Sequence, residues 1–226
     1  MNPGLSRNCQ RGVTPQLWPL PQGGKAGGKR IREPGNLPAV VREDVNQLGR
    51  QQMIILLLGG ARSGKSALAE RVASRCRKPV VYVAPAVVGE DADFAQRIRL
   101  HRNRRPVDWL TAETGEALVE HLMSVGPGTQ LIDSLGSWVA STTDFVVDAD
   151  GLCEALQGYD GDVVVVSEEV GMGVHPSTEI GGKFRDVMGT VNQRVAEVAD
   201  EVYLVVAGMA LRLSGLSLAD EHSEGA

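Results

Sequence analysis

The chain has 226 residues, of which 42% are hydrophobic and 23% charged, so it is long enough to bury a core without disulfides or metals. Its three cysteines, Cys9, Cys76 and Cys153, are far apart, which excludes a disulfide scaffold and a CxxC-type zinc module and indicates a reducing, cytoplasmic location. No apolar run reaches about 18 residues, which excludes a transmembrane helix, and the acidic body of the chain after residue 52 argues against general nucleic-acid binding.

Residues 1–52 differ in composition from the rest of the chain. They contain 8 Lys or Arg against 3 Asp or Glu, whereas the remainder contains 15 against 25. They also contain 6 of the 11 prolines and 8 of the 27 glycines, and no apolar period persists in them. We therefore expect a flexible basic extension. It would be a disordered leader, a tail that contacts a partner, or the product of a misplaced start codon, since Met53 begins the first apolar run.

From Met53 onwards, apolar runs alternate with stretches of helical spacing. The first run is continuously apolar and ends in glycines, which is typical of a strand buried on both faces. Alternation of such strands with helices predicts a single α/β domain at 53–213, with a mainly parallel central sheet flanked by helices and a short acidic tail at 214–226. The predicted strands are 53–60, 78–84, 129–134, 162–168 and 201–208, and the clearest helices are 66–75 and 177–200.

The segment GGARSGKS (59–66) fits the phosphate-loop pattern GxxxxGK[ST] and lies between a predicted strand and a predicted helix. Its glycines allow backbone conformations in which successive N–H groups point into one anion-binding hollow. Lys65 would reach the β- and γ-phosphates, and the Ser66 hydroxyl would ligate Mg²⁺. A chance match in a glycine-rich turn is the alternative, but the flanking elements favour a phosphate loop. We therefore predict a P-loop NTPase-like fold that binds a nucleoside triphosphate through Gly59, Gly60, Ala61, Arg62, Ser63, Gly64, Lys65 and Ser66.

A carboxylate that helps to hold the metal is expected at the end of a neighbouring strand. Asp133 closes the apolar run 130–132 and fits that position. Its carboxylate would hold Mg²⁺ directly or through water. Alternatively, Asp133 caps the helix that follows. Its position favours the metal role.

Residues 97–106, RIRLHRNRRP, place five arginines around His101. Such charge runs are usually a solvated basic helix end. The other interpretation is a second phosphate-handling element, because guanidinium groups bind phosphate oxygens and neutral imidazole is a nucleophile near pH 7. The spacing alone does not decide between these interpretations.

Several segments that occur in one order resemble a known family. They are GGARSGKS, RIRLHRNRRP, DWLTAE (108–113), EVGMGVHP (169–176) and FRDVMGTVNQ (184–193). Together they are similar to the bifunctional adenosylcobinamide kinase/adenosylcobinamide-phosphate guanylyltransferases of cobalamin synthesis, over about residues 53–213. The last two segments are far more specific than the phosphate loop.

The resemblance implies a P-loop α/β enzyme that carries out two reactions. It would phosphorylate the aminopropanol hydroxyl of adenosylcobinamide with GTP or ATP, and then transfer GMP from GTP to that phosphate through a guanylylated histidine, releasing pyrophosphate. His101 would be that histidine, Lys65 would be a second catalytic residue, and the family tends to form trimers. The implied nucleotide site adds Ala84, Pro85, Ala86, Arg102, Asn103, Arg104, Arg105, Glu113 and Asp133 to the phosphate loop, with Mg²⁺ held by Ser66 and Asp133.

The chain departs from the family pattern at several positions. Pro85 stands where a hydroxyl residue is frequent, which removes one phosphate donor. Glu168 stands in place of an Asn, and its negative charge is unfavourable near phosphate unless it binds a metal or faces away. The segment 137–143 lacks an Asn that is often found there. His175 is expected to be a loop residue near the mouth of the substrate site.

The sequence is also compatible with two other functions. A different P-loop kinase with a small hydroxyl-bearing substrate predicts phosphorylation but no covalent nucleotide on His101. A nucleotide-binding regulatory protein predicts GTP binding without turnover, with the basic extension contacting a partner. The segment around His101 and the EVGMG loop favour the bifunctional transferase.

Overall fold

The computed structural model describes residues 52–85 and 106–214. Seven strands in these ranges form one sheet, in the order β3-β2-β4-β5-β1-β6-β7. Every pairing is parallel except that between the last two strands. The strands are β1 (Ile54–Gly59), β2 (Val80–Ala84), β3 (Leu110–Glu113), β4 (Thr129–Asp133), β5 (Asp162–Glu168), β6 (Glu201–Val206) and β7 (Met209–Leu213).

Helices connect most of the consecutive strands within the described ranges, and a turn joins β6 to β7. Three of them begin at a side-chain cap, because Ser134, Asp148 and Thr178 each accept a hydrogen bond from the backbone N–H three residues further on. None of the helices described is long and apolar enough to cross a membrane. The helices are α1 (Lys65–Ala73), α2 (Leu118–Ser124), α3 (Leu135–Ser141), α4 (Ala149–Gly158) and α5 (Glu179–Val198), with a 3-10 turn at Thr143–Phe145.

The core lies on both faces of the central strands. Alternate residues of β1 point to opposite faces, and Ile54 and Leu56 join one large apolar cluster with residues of α2, α3, α4 and α5. Helix α1 packs against β1, β4 and β5, and its buried residues lie outside that cluster. Helices therefore flank the sheet, and β1 and β5 are buried on both faces, as their continuous apolar runs predict.

Buried polar side chains at the amino ends of β4 and β5 each have a hydrogen-bond partner. Thr129 Oγ1 donates to the Arg77 carbonyl at 2.6 Å, and the Arg77 N–H donates to Asp162 Oδ2 at 3.0 Å. Gln130 Nε2 donates to the Tyr159 hydroxyl at 3.0 Å. These bonds satisfy side chains that would otherwise be costly to bury.

The predicted fold class is confirmed. The five predicted strands are present as β1, β2, β4, β5 and β6, and the two clearest helices are α1 and α5. Strands β3 and β7 were not predicted, because they lie at the edges of the sheet and most of their residues are exposed, which leaves no strong apolar pattern. The proposed extension (1–52) and tail (214–226) lie almost wholly outside the described residues, so the domain boundaries remain predictions.

Candidate functional site

The predicted phosphate loop connects β1 to α1 at the carboxyl edge of the sheet. Gly64 has φ +96°, in the left-handed region that glycine adopts without strain, and α1 begins at the next residue. At Gly59 a Cβ would lie 2.6 Å from the Val205 carbonyl oxygen and 2.7 Å from Ser63 Oγ, so only glycine fits. The Gly208 N–H donates to the Ser63 carbonyl at 2.7 Å and ties the loop to the turn after β6. The loop thus leads directly into the N-terminus of α1, the end of a helix that favours anions.

Lys65 is buried, although it carries a charge. Its Nζ donates to the Gly60 carbonyl at 3.3 Å and lies 3.4 Å from Glu168 Oε1. These contacts hold the ammonium group over the loop. The sequence left two roles for Glu168, metal binding or facing away, and the structure instead pairs it with the phosphate-loop lysine.

Asp133 lies at the end of β4 and contacts side chains from two other elements. Its Oδ1 accepts from Ser66 Oγ at 3.2 Å, and its Oδ2 accepts from the Tyr82 hydroxyl at 3.0 Å. The capping role is wrong, because Ser134 caps α3 by accepting from the Ser137 N–H. The structure therefore brings the two predicted metal ligands together and adds Tyr82, which the sequence analysis missed.

The pair Ser66 and Asp133 fits Mg²⁺ in donor chemistry. A hydroxyl and a carboxylate oxygen converge from different elements, and Mg²⁺ prefers oxygen ligands supplied by one or two side chains, waters and phosphates. Among the residues described, no cluster of three or more His, Cys, Asp or Glu side chains could hold a metal by itself.

The remaining predicted nucleotide-site residues divide into two groups. Ala84 and Glu113 are paired in register at the ends of β2 and β3, at the same edge of the sheet as the phosphate loop, and Pro85 follows directly. Glu113 is exposed, so its carboxylate is accessible to a ligand. The other group lies outside the described residues, and it comprises Ala86, His101, Arg102, Asn103, Arg104 and Arg105.

An open groove of about 770 Å³ lies along the start of α5. His175 and Arg185 line it, and Arg185 Nη1 lies 2.9 Å from His175 Nδ1. Arg185 also donates to Asp186 Oδ1 through Nε at 2.9 Å and through Nη2 at 2.8 Å. His175 is an exposed loop residue, and its predicted position near the mouth of the substrate site stays a prediction.

Sequence comparisons match almost the whole described part of the chain to one family. The family model for cobinamide kinase / cobinamide phosphate guanyltransferase matches residues 55–213. The bifunctional adenosylcobalamin biosynthesis protein CobP of Pseudomonas aeruginosa is 39% identical over 168 residues, which are 71% of this chain and 96% of that protein. The bifunctional CobU proteins of Salmonella typhimurium and Escherichia coli are 35% and 34% identical over 182 residues, covering 71% of this chain and 99% of each relative.

Proposed function

The chain belongs to the cobinamide kinase / cobinamide phosphate guanyltransferase family, and we propose that it carries out both reactions on adenosylcobinamide. It would first transfer the γ-phosphoryl group of GTP or ATP to the aminopropanol hydroxyl. It would then transfer GMP from GTP to the new phosphate, giving adenosyl-GDP-cobinamide and pyrophosphate. The observation that carries this proposal is the convergence of Lys65, Ser66 and Asp133 at one edge of the sheet. The family model matches residues 55–213, which include all three.

For the kinase reaction, the contribution of the chain is positioning and charge neutralisation, because the transition state for phosphoryl transfer is loose. The backbone N–H groups of the phosphate loop and the N-terminus of α1 would bind the phosphates. Lys65 is already held over the loop, and its ammonium would bind the β- and γ-phosphates when they displace its present contacts.

Mg²⁺ is part of this proposal, with Ser66 and Asp133 as the residues that would hold it. When bound, the ion would neutralise charge on the phosphates. Tyr82 donates a hydrogen bond to Asp133 Oδ2 and so orients the carboxylate toward Ser66.

For the second reaction we propose a covalent intermediate on His101. A ring nitrogen would attack the α-phosphorus of GTP, so that an N–P bond forms while the bond to the pyrophosphate oxygen breaks. A phosphate oxygen of adenosylcobinamide phosphate would then displace the histidine. Arg102, Arg104 and Arg105 would neutralise the phosphate charge. The segment around His101 lies outside the described residues, so the support for this step comes from the family resemblance and the residue types. The expected trimer likewise stays a prediction.

The test is labelling of the protein with GTP that carries the label at its α-phosphate, in the presence of Mg²⁺. After denaturation, we expect an acid-labile, base-stable label on wild type and none on His101→Ala. His121→Ala is the matched control, because the His121 ring contacts Gln130 at the amino end of β4, far along the strand from the phosphate loop. Label that persists in His101→Ala would contradict the assignment. An unlabelled wild type that still phosphorylates adenosylcobinamide would support a kinase without a covalent nucleotide.

A further inference from the structure

Glu168 is held in place at its backbone and at both oxygens of its carboxylate. It is the last residue of β5, the strand between the phosphate-loop strand β1 and the Asp133 strand β4. Its carbonyl accepts from Asn192 Nδ2 of α5 at 3.0 Å, which fixes the end of the strand against that helix. Its Oε2 accepts from the Gly136 N–H of α3 at 2.9 Å, and its Oε1 lies 3.4 Å from Lys65 Nζ. Contacts from α3 and α5 therefore hold the carboxylate beside the phosphate-loop lysine.

The first turn of α3 has room for this carboxylate because residue 136 is glycine. A Cβ at Gly136 would lie 2.2 Å from Glu168 Oε2, so any larger residue would push the carboxylate away from the backbone N–H. The side chains of Lys65 and Glu168 are only 10% and 27% exposed. Their contact is thus part of the packing at this edge of the sheet, and differs in this respect from an ion pair between two exposed side chains.

The same contact opposes the binding of a nucleotide. The lysine of a phosphate loop binds the β- and γ-phosphates, but the Lys65 ammonium already lies against a carboxylate. Phosphate oxygens must therefore displace Glu168 Oε1 before they can occupy that position. When a ligand binds only the fraction of molecules in which its site is open, its apparent Kd rises by the inverse of that fraction.

Two other carboxylates near this edge have different partners. Asp133 accepts from side chains of the proposed metal site and of β2. Glu169 Oε1 accepts from the Gly171 N–H at 2.6 Å, within its own loop. Within the two described ranges, Glu168 is thus the carboxylate that pairs with Lys65.

We propose that Glu168 sets the nucleotide affinity of this chain by competing with phosphate for Lys65, an assignment that rests on the proposed nucleotide-binding function. In the free protein the carboxylate occupies the ammonium group. When phosphates take Lys65, Oε1 is released while Oε2 stays on the Gly136 N–H, and the carboxylate returns to Lys65 when the nucleoside diphosphate leaves. The family pattern has an uncharged Asn at this position, so the competition is a property of this chain and is not a requirement of the reaction.

The test is the Kd of GTP and of GDP in three variants of Glu168, measured by titration calorimetry at one ionic strength. Glu168→Gln and Glu168→Asn remove the competing charge, and the second variant carries the residue that the family pattern has here. We expect both Kd values to fall by about tenfold or more, as for a lysine that is free in about one-tenth of wild-type molecules. Glu168→Asp keeps the charge on a shorter side chain and should give intermediate values.

Glu169→Gln is the matched control, because it removes the same charge from the neighbouring residue. Its Kd values should stay within about twofold of wild type, since a charge without contact to the ligand is screened by salt. Values that are unchanged or higher in both Glu168→Gln and Glu168→Asn would overturn the proposal. An equal decrease in Glu169→Gln would also overturn it, because net charge alone would then explain the gain.

A thermal melt without nucleotide establishes that each variant is folded before its Kd is compared. Failure of the proposed function has a different signature from failure of this inference. If neither wild type nor any folded variant binds GTP or GDP, the proposed nucleotide-dependent function is wrong. If wild type binds and the two uncharged variants bind no more tightly, only the competition is wrong.

Discussion

Polar groups are buried at both ends of the central strands, and the phosphate-loop residues Lys65 and Ser63 are bonded less tightly than the groups at the amino ends. At the amino ends of β4 and β5, Thr129, Gln130 and Asp162 bond to backbone or side-chain partners at 3.0 Å or less. At the carboxyl ends, the Lys65 ammonium has only longer contacts, of 3.3 and 3.4 Å, among the residues described. Ser63 Oγ is buried there without a hydrogen-bond partner in the same part of the chain.

We infer that the long contacts of Lys65 leave it available to a ligand, whereas the short bonds at the amino ends stabilise the fold. A buried donor with a short bond contributes to stability, and its loss leaves an unsatisfied partner. A buried cation with long contacts exchanges them for phosphate more readily than a donor gives up a short bond. We therefore expect substitutions at the amino end to lower stability, and substitutions at the carboxyl end to lower activity.

The largest expected effect on activity is that of Lys65→Ala. Loss of the ammonium group removes phosphate neutralisation in both proposed reactions, so phosphorylation and guanylyl transfer should each fall by at least about 10²-fold. The midpoint of thermal unfolding should change little, because the contacts of Lys65 are long. Assays of both reactions beside a thermal melt measure this. Near-normal turnover in Lys65→Ala would contradict the proposed difference between the two ends of the central strands.

Asp133→Asn should have the next largest effect, through Mg²⁺. The amide removes the negative charge of the proposed ligand, so more Mg²⁺ should be needed for half-maximal activity, with a loss of at least about tenfold in rate at a fixed concentration. Tyr82→Phe is the graded comparison, since it removes only the hydrogen bond to Oδ2 and should produce a smaller shift. Magnesium titrations of the three proteins test the order, and an unchanged requirement in Asp133→Asn would exclude the metal role.

At the amino end, Asp162→Ala should destabilise the fold without changing the site. It leaves the Arg77 N–H without its partner and removes the ion pair to Arg77 Nε, so the free energy of unfolding should fall by about 1–3 kcal/mol. Asp160→Ala, an exposed neighbour, is the matched control. Denaturant unfolding gives the free energies, and activity per folded molecule should equal that of wild type. A selective loss of activity would show that the two ends are coupled.

The smallest expected effect concerns the buried Cys76. Burial, reinforced by the negative charge of Asp162, raises its pKa from 9.0 to about 12. The folded thiol thus stays protonated at pH 8, and iodoacetamide should modify Cys76 far more slowly in native than in unfolded protein. Between pH 9 and 12 the folded state binds the proton more tightly than the unfolded state, so stability should decline as pH rises. In Cys76→Ala, the free energy of unfolding should decline less steeply with pH than in wild type. Identical slopes in the two proteins would contradict the raised pKa of Cys76.

The sequence located part of the site because phosphate loops are local. The order of residues between Gly59 and Ser66 specifies both the turn and the helix start, so the pattern alone identified Lys65 and Ser66. Tyr82 was missed because it lies in an apolar run, and its hydroxyl reaches Asp133 only because β2 pairs with β4. Glu168 was noticed as a departure from the family, but its partner depends on the insertion of β5 between β4 and β1.

By itself, the sequence determined the fold class, the phosphate loop and the family, since each depends on the periodicity or order of residues that are near one another along the chain. Tertiary structure alone decided the order of the strands and the pairing of Glu168 with Lys65. The reason is physical. Parallel neighbours are joined by long crossovers, so the residues that meet at the carboxyl edge are about 30 to 100 positions apart in the chain, and no local pattern records which strands lie side by side.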